Sequence, residues 1–292
     1  MSFQKKISAG EFVIVAEVNT PKGVDISELV MDARRIKGRV DAVVVPDMDR
    51  GLMRISALGG GVLMHQQGLE PIIHVCGRDR NRLALQGDIL AAHVLGIRNL
   101  LVVRGEDMAL GEQRDARAVD DLDELELIGA IQSLQDGVDL GGFDLRGRPS
   151  FTMGCTVAPH AYADEKTLDA ELEIARKKVG AGCQFVVFPP VYDVEHFASH
   201  AAKIKDLGVP VIPMVFLIKS VGIARYIATS EPGAHISEQM IRRIRKAPDR
   251  DLECIRIAGE TVSALRELAQ GVQIVTIGWE SRIPSILEFA GL

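Results

Sequence analysis

A chain of 292 residues, 47% apolar and 25% charged, can bury a large core, and its composition excludes a disordered or fibrous protein. A net charge of −6 speaks against a nucleic-acid partner, which needs a basic face. No apolar run approaches the ~18 residues that span a bilayer, and MSFQKKISAGEF has no apolar signal core, so a cytoplasmic protein with no membrane partner is expected.

In chain order, the first β-rich run is VIVAEV (13–18), inside FVIVAEVNTPKG, where five apolar residues end on Glu17. DISE (25–28) has the pattern of a capping box and opens a helix through Ile36. Strands follow at AVVVPD (42–47) and PIIHVC (71–76). RNRLALQGDILAAHVLG (80–96) reads as a helix with Leu83, Ile89, Leu90 and Val94 near one stripe, stopping at Gly96. NLLVVRG (99–105) is the fourth strand. The glycine-rich 137–148, which fits neither period, is an excursion after the fourth helix.

The second half repeats the plan. Strands SFTMGCTVA (150–158), FVVFPP (185–190), PVIPMVF (210–216) and VQIVTIG (272–278) alternate with helices at 168–182 and 193–208. ISEQMIRRIRKA and LECIRIAGETVSALRELAQG give two helices before the eighth strand, and SRIPSILEFAGL closes the chain. The runs are continuously apolar, as parallel strands covered by helices should be. Eight β-α units predict an α/β fold: a single (βα)8 TIM barrel over residues 1–292.

In such a barrel, function sits at the strand C-termini. Those ends carry Glu17, Pro46 and Asp47, His74 and Cys76, Arg104, Glu106 and Asp107, then His160, Pro189, Lys219, Trp279 and Glu280. This crowd of titratable groups points to an enzyme site. Each member also has a structural reading. Glu17 can be a solvated strand end and His74 a core histidine bonded to a carbonyl. Arg104 can pair with Glu106 or Glu17 in a buried network. RDRNR (78–82) can be a salt-bridge cluster at a helix start, and Lys177 and Lys178 can serve a helix dipole. Cys76, Cys155, Cys183 and Cys254 form no C-x-x-C pair, so metal or iron–sulfur spacing is absent and buried thiols are expected.

With these residues in view, the chain resembles the methylenetetrahydrofolate reductase family over nearly its whole length. The resemblance is carried by EPIIHVCGRDRNRLALQGDILAAHVLGIRNLLVVRGED, ARKKVGAGCQFVVFPPVYDVEHF, PMVFLIKSVGIARY and IVTIGWESRIPSIL. It is closest to the short reductases of acetogenic and other anaerobic bacteria. The resemblance implies a (βα)8 barrel that binds FAD, with FMN as the alternative, and reduces 5,10-methylenetetrahydrofolate to 5-methyltetrahydrofolate. It gives Glu17 the place of the general acid and sets Glu106 beside it as a catalytic and cofactor residue. It gives His74, Arg104, Gly105, Tyr162, Glu171, Lys177 and Lys178 to the flavin, and Pro189 and Trp279, with Glu17, to the substrate. NAD(P)H or an iron–sulfur subunit would supply electrons, and homo-oligomers occur in the family.

The chain departs from the family pattern at several positions. Pro46 stands for a threonine, Glu106 for an aspartate, Pro189 for a glutamine and Met214 for a glycine. Glu171 stands for an aspartate and Lys177 for an arginine, while Ala158 and Tyr162 replace a polar or aromatic residue and a histidine. Two further readings stay open: a flavin-free tetrahydropterin enzyme of one-carbon transfer, and a non-catalytic barrel subunit of a one-carbon complex.

Overall fold

The computed structural model describes all 292 residues. Eight parallel strands close in sequential order: β1 (Val13–Glu17), β2 (Ala42–Val45), β3 (Pro71–Cys76), β4 (Asn99–Val103), β5 (Thr152–Thr156), β6 (Phe185–Pro190), β7 (Val211–Phe216) and β8 (Gly271–Val275). The barrel closes where Val13 to Ala16 of β1 pair with Gly271 to Ile274 of β8. Eleven helices accompany them: α1 (Phe3–Ser8), α2 (Ser27–Ile36), α3 (Ala57–Gln66), α4 (Arg82–Val94), α5 (Glu124–Asp136), α6 (Glu165–Gly180), α7 (Val194–Lys205), α8 (Val221–Ser230), α9 (Glu238–Lys246), α10 (Arg250–Leu265) and α11 (Ile283–Phe289). The (βα)8 barrel expected from the strand count is what the chain forms.

Alternation along the strands separates two apolar bodies. The inner one joins Val13, Val15, Ala42, Val44, Ile72, Leu101, Phe185, Val187 and Ile212 along the barrel axis. The outer one packs the opposite strand faces against the helices. The inner body also takes in Phe3 and Ile7 from α1, an element the sequence reading did not identify. Ser2 caps this helix, and Phe3 meets Phe185 edge to face at 5.3 Å. The short helix therefore plugs the N-terminal end of the barrel, leaving the other end for chemistry.

Several local expectations are corrected. DISE forms no capping box: Asp25 accepts from the Ser27 amide at 2.9 Å, and α2 starts at Ser27 with no side-chain cap. The box forms instead at Asp123 and Glu126, which open α5. In α4 the buried stripe is Leu85, Ile89 and Ala92, while Leu83 and Val94 face solvent. Three helices, not two, lie between β7 and β8. The helix α3 forms despite Gly59, Gly60 and Gly61 because two of them permit close packing. A Cβ on Gly60 would lie 2.4 Å from Thr20 Cγ2, and one on Gly61 2.4 Å from Ile73 Cγ2. All four cysteines are buried and free. No helix is long and apolar enough to cross a membrane.

Candidate active site

The inward-facing positions nearest the strand C-termini make the floor of the site. By the two-residue alternation these are Glu17, His74, Cys76, Val103, Thr156, Pro189, Met214, Phe216 and Gln273. Glu17, Cys76, Pro189 and Gln273 are buried, whereas His74, Val103, Thr156, Met214 and Phe216 are half-buried. Side chains that point at the axis and still reach solvent define an open mouth.

Glu17 is the focus of that floor. Only 8% of it is exposed, and Gln273 Nε2 donates to its Oε2 at 3.0 Å. Burial pushes its carboxyl up to about 8, helped by the charges of Asp49 and Glu280 and opposed by the Gln273 hydrogen bond and Arg50. Near neutrality Glu17 is therefore an acid holding its proton. His74 is driven the other way: burial lowers it to about 4, against the pull of Asp47 and Glu106. It stays neutral, and its buried Nε2 has no protein partner. The core-histidine reading, with that nitrogen on a carbonyl, does not hold.

The loops after β2 and β4 close against each other beside these groups. Met48 and Arg50 adopt left-handed backbone at φ 47° and 55° on either side of Asp49. Gly51 meets the other loop so closely that a Cβ on it would lie 2.8 Å from Gly111 Cα. The Arg50 amide donates to Glu106 Oε2 at 3.1 Å, and Arg78, 3% exposed, donates to the carbonyls of Glu106 and Met48. All three arginines of RDRNR are committed: Arg78 to Asp79, Arg80 to Asp47 and Asp88, and Arg82 to Asp121. The salt-bridge reading of that run is the one the structure bears out. Arg104, in contrast, is exposed and joins no ion pair, so the alternative reading of it as a partner of Glu106 or Glu17 in a buried network does not hold.

Tyr162 lies outside the ring, buried between β6 and α7 against Phe188, His196 and Phe197, and its hydroxyl has no partner. Burial raises its phenol far above the usual range. Glu171 on α6 accepts from the Ala158 amide at 3.2 Å and faces His160 at 3.7 Å. Trp279 lies under two cations, with Lys219 Nζ 5.3 Å and the Arg282 guanidinium 6.0 Å from its ring centre. Lys219 also donates to the Ile277 carbonyl, where a β-branched residue is held at φ 43°.

With this geometry in hand, comparison with known proteins is direct. The family model for methylenetetrahydrofolate reductase matches residues 2–291. The chain belongs to the methylenetetrahydrofolate reductase family. Among solved structures, a protein from Clostridium thermocellum that binds two copies of 5-methyl-5,6,7,8-tetrahydrofolic acid superposes with a TM-score of 0.65 at 16% identity. That match covers 98% of this chain and 96% of the other. EDTA monooxygenase from Chelativorans sp. BNC1 superposes with a TM-score of 0.56 at 10% identity, covering 96% and 94%. At these identities the two share the barrel.

Set against the methylenetetrahydrofolate reductase pattern, the expected residues divide. Glu17, His74, Pro189 and the backbone of Gly105 stand at the mouth, Gly105 at φ 79° where a Cβ would lie 2.7 Å from Cys76 Sγ. Lys177 and Lys178 have different surroundings. Adjacent helical residues point about 100° apart, and Lys178 is buried on Glu124 and the Thr156 carbonyl while Lys177 is exposed. Glu171, one face with Lys178, is turned to the β5 loop. Sequence reasoning missed Gln273 and Asp49. An amide amid the apolar run of β8, at an inward position, was a usable signal for Gln273. Nothing local marked Asp49, whose place depends on left-handed backbone at two non-glycine residues.

Proposed function

We propose that this protein is a flavin-dependent reductase that converts 5,10-methylenetetrahydrofolate to 5-methyltetrahydrofolate. The observation that carries the reading is Glu17: a buried carboxyl that keeps its proton to about pH 8 on the floor of an open barrel mouth. Family membership supplies the reaction class. The donor set suits a flavin: His74 Nε2 on the barrel floor is buried and unpartnered, and Arg104 is an uncommitted cation. Arg104 and the Gly105 backbone would meet the cofactor's polar groups, and Glu106 and His74 would line its ring. When bound, the flavin supplies the hydride.

The protein's own part is proton control and position. Gln273 donates to Glu17 Oε2, which assigns the acidic proton to Oε1. From there Glu17 protonates the substrate nitrogen whose bond to the bridging carbon opens, and the carbon becomes electrophilic enough to accept hydride. The apolar floor of Val103, Met214 and Phe216 keeps water from competing for that carbon. Pro189 packs the pterin face without a hydrogen bond, and Trp279 presents an aromatic surface to the rest of the substrate.

The test is anaerobic. Purified protein is examined for an oxidised-flavin absorption band, loaded with FAD or FMN if colourless, and given reduced carrier and methylenetetrahydrofolate. Formation of 5-methyltetrahydrofolate by the wild type and its loss in Glu17→Gln are expected; a chain that takes up no flavin and turns over nothing overturns the reading. NAD(P)H and an iron–sulfur partner are the two electron sources to supply.

A second reading has its own support. The Clostridium thermocellum barrel binds two tetrahydrofolates, and Pro46 and Pro189 here offer no donor where the family has polar side chains. A colourless protein that binds tetrahydrofolate without turnover would favour a flavin-free one-carbon enzyme.

A further inference from the structure

Glu17 and Gln273 come from the two strands that close the barrel, 256 residues apart in the chain. The register sets Gln273 level with Val15 of β1 and Met214 of β7, one inward layer below Glu17. From there its side chain reaches up to the carboxyl, and Nε2 donates to Glu17 Oε2 at 3.0 Å. No other group donates a hydrogen bond to that carboxyl. The amide does nothing for the core around it. Gln273 is fully buried beside the inner apolar body, and its Oε1 has no partner. A buried acceptor left without a donor destabilises a fold. A methionine would fill the same space with no hydrogen bond to satisfy. The place of Gln273 is therefore set by Glu17 and not by packing.

We propose that Gln273 is a positioning residue for the acid: it fixes the Glu17 carboxyl through Oε2 and steadies the carboxylate that remains once the proton has gone to the substrate. The inference rests on the reading of Glu17 as the proton donor. In that step the O–H bond of Glu17 breaks as the substrate nitrogen forms its N–H bond, and the negative charge stays on the carboxyl. An Nε2–H already aimed at Oε2 binds this charge more strongly than it binds the neutral acid. Without it the buried carboxylate would form with no hydrogen bond at all, and the acid would hold its proton too firmly to give it. Charged groups around Glu17 bear on the same balance. Asp49 after β2 and Glu280 after β8 oppose the carboxylate, while Arg50 favours it and the Gln273 bond works with Arg50 against burial.

The experiment compares the wild type with Gln273→Met, which keeps the length of the side chain and removes the donor. The full chain, labelled with 13C at Glu and 15N at Gln, is titrated by NMR, with Glu17 assigned through Glu17→Gln and Gln273 through its backbone connectivities. The Glu17 midpoint should rise by about one unit in Gln273→Met. In the wild type the Gln273 amide signal should shift with the same midpoint as Glu17, and this titration should vanish in Glu17→Gln. That second measurement needs no change at Gln273, so it decides the matter even if Gln273→Met does not fold. With flavin, reductant and substrate supplied, kcat should fall by about tenfold with KM little changed, and the alkaline limb of the pH profile should move up with the Glu17 midpoint. Denaturant melts on the acid side, where Glu17 keeps its proton, should show Gln273→Met at least as stable as the wild type, because the unpaired Oε1 is gone. A Glu17 midpoint unmoved in Gln273→Met, or a Gln273 amide blind to the ionisation of Glu17, overturns the proposal. A raised midpoint in a protein without reductase turnover leaves the role of Gln273 standing and removes only the assigned reaction.

Discussion

Glu17 and His74 tie function to pH with opposite signs. The folded chain holds the Glu17 proton to about pH 8, while the unfolded chain releases it near the ordinary carboxylate value. Stability from this group is therefore complete at low pH and is lost as pH rises through about 8. Activity that needs the acid form should fall over the same range. Glu17→Gln should thus cost about 10²–10⁴ in turnover and yet raise stability above pH 8, where it removes a buried charge. Steady-state rates and denaturant melts at pH 6 and 9 check both halves. If Glu17→Gln were neutral for turnover, the acid would have to be sought elsewhere. His74 has its folded value lowered to about 4, so its contribution is intact above its unfolded value near 6.5 and disappears as pH drops through 4. His74→Asn should flatten that acid loss in melts between pH 4 and 7.

Elements show why parts of the site were legible and others were not. Eight apolar runs with polar ends are a property of local sequence, so the barrel, its mouth, Glu17 and His74 could be placed by counting. The plug helix α1 could not, because six residues carry too little periodicity and Phe3 is recognised only by the ring of Phe185 it meets. The Lys177–Lys178 pair misled because charge says nothing about helical phase. Two predictions follow at this scale. Phe3→Ala should cost about 3–5 kcal/mol through the cavity it leaves, seen as a lowered denaturation midpoint, with the mouth at the far end still binding ligand. Lys178→Ala should cost on the order of 3 kcal/mol by stranding the half-buried Glu124 carboxylate and the Thr156 carbonyl. Lys177→Ala should stay within about 0.5 kcal/mol. Comparable effects of the two lysines on ligand affinity, with no effect on stability, would refute this division.

At the scale of the molecule, closure makes the mouth one ring. Glu17 and His74 stand on β1 and β3, and Arg104 and Trp279 lie in the loops just past β4 and β8, all carried by one closed sheet. A ligand that binds only this closed form raises stability by mass action, about 2.7 kcal/mol at a hundredfold excess over its Kd. For a chain of this length that corresponds to a rise of about 4 °C in Tm. The competing functional readings then separate without any turnover. If a flavin and a folate share the mouth side by side, FAD and 5-methyltetrahydrofolate should each raise Tm, and together the rises should add. If two folates fill it, saturating 5-methyltetrahydrofolate should abolish the FAD shift, because both would claim the same donors. Additivity is the expected result, since the unpartnered His74 on β3 and the Glu17–Gln273 pair on β1 and β8 offer separate partners on the floor. Glu17→Gln should keep both shifts, because an amide of the same size still fills the floor while the proton it must give is gone.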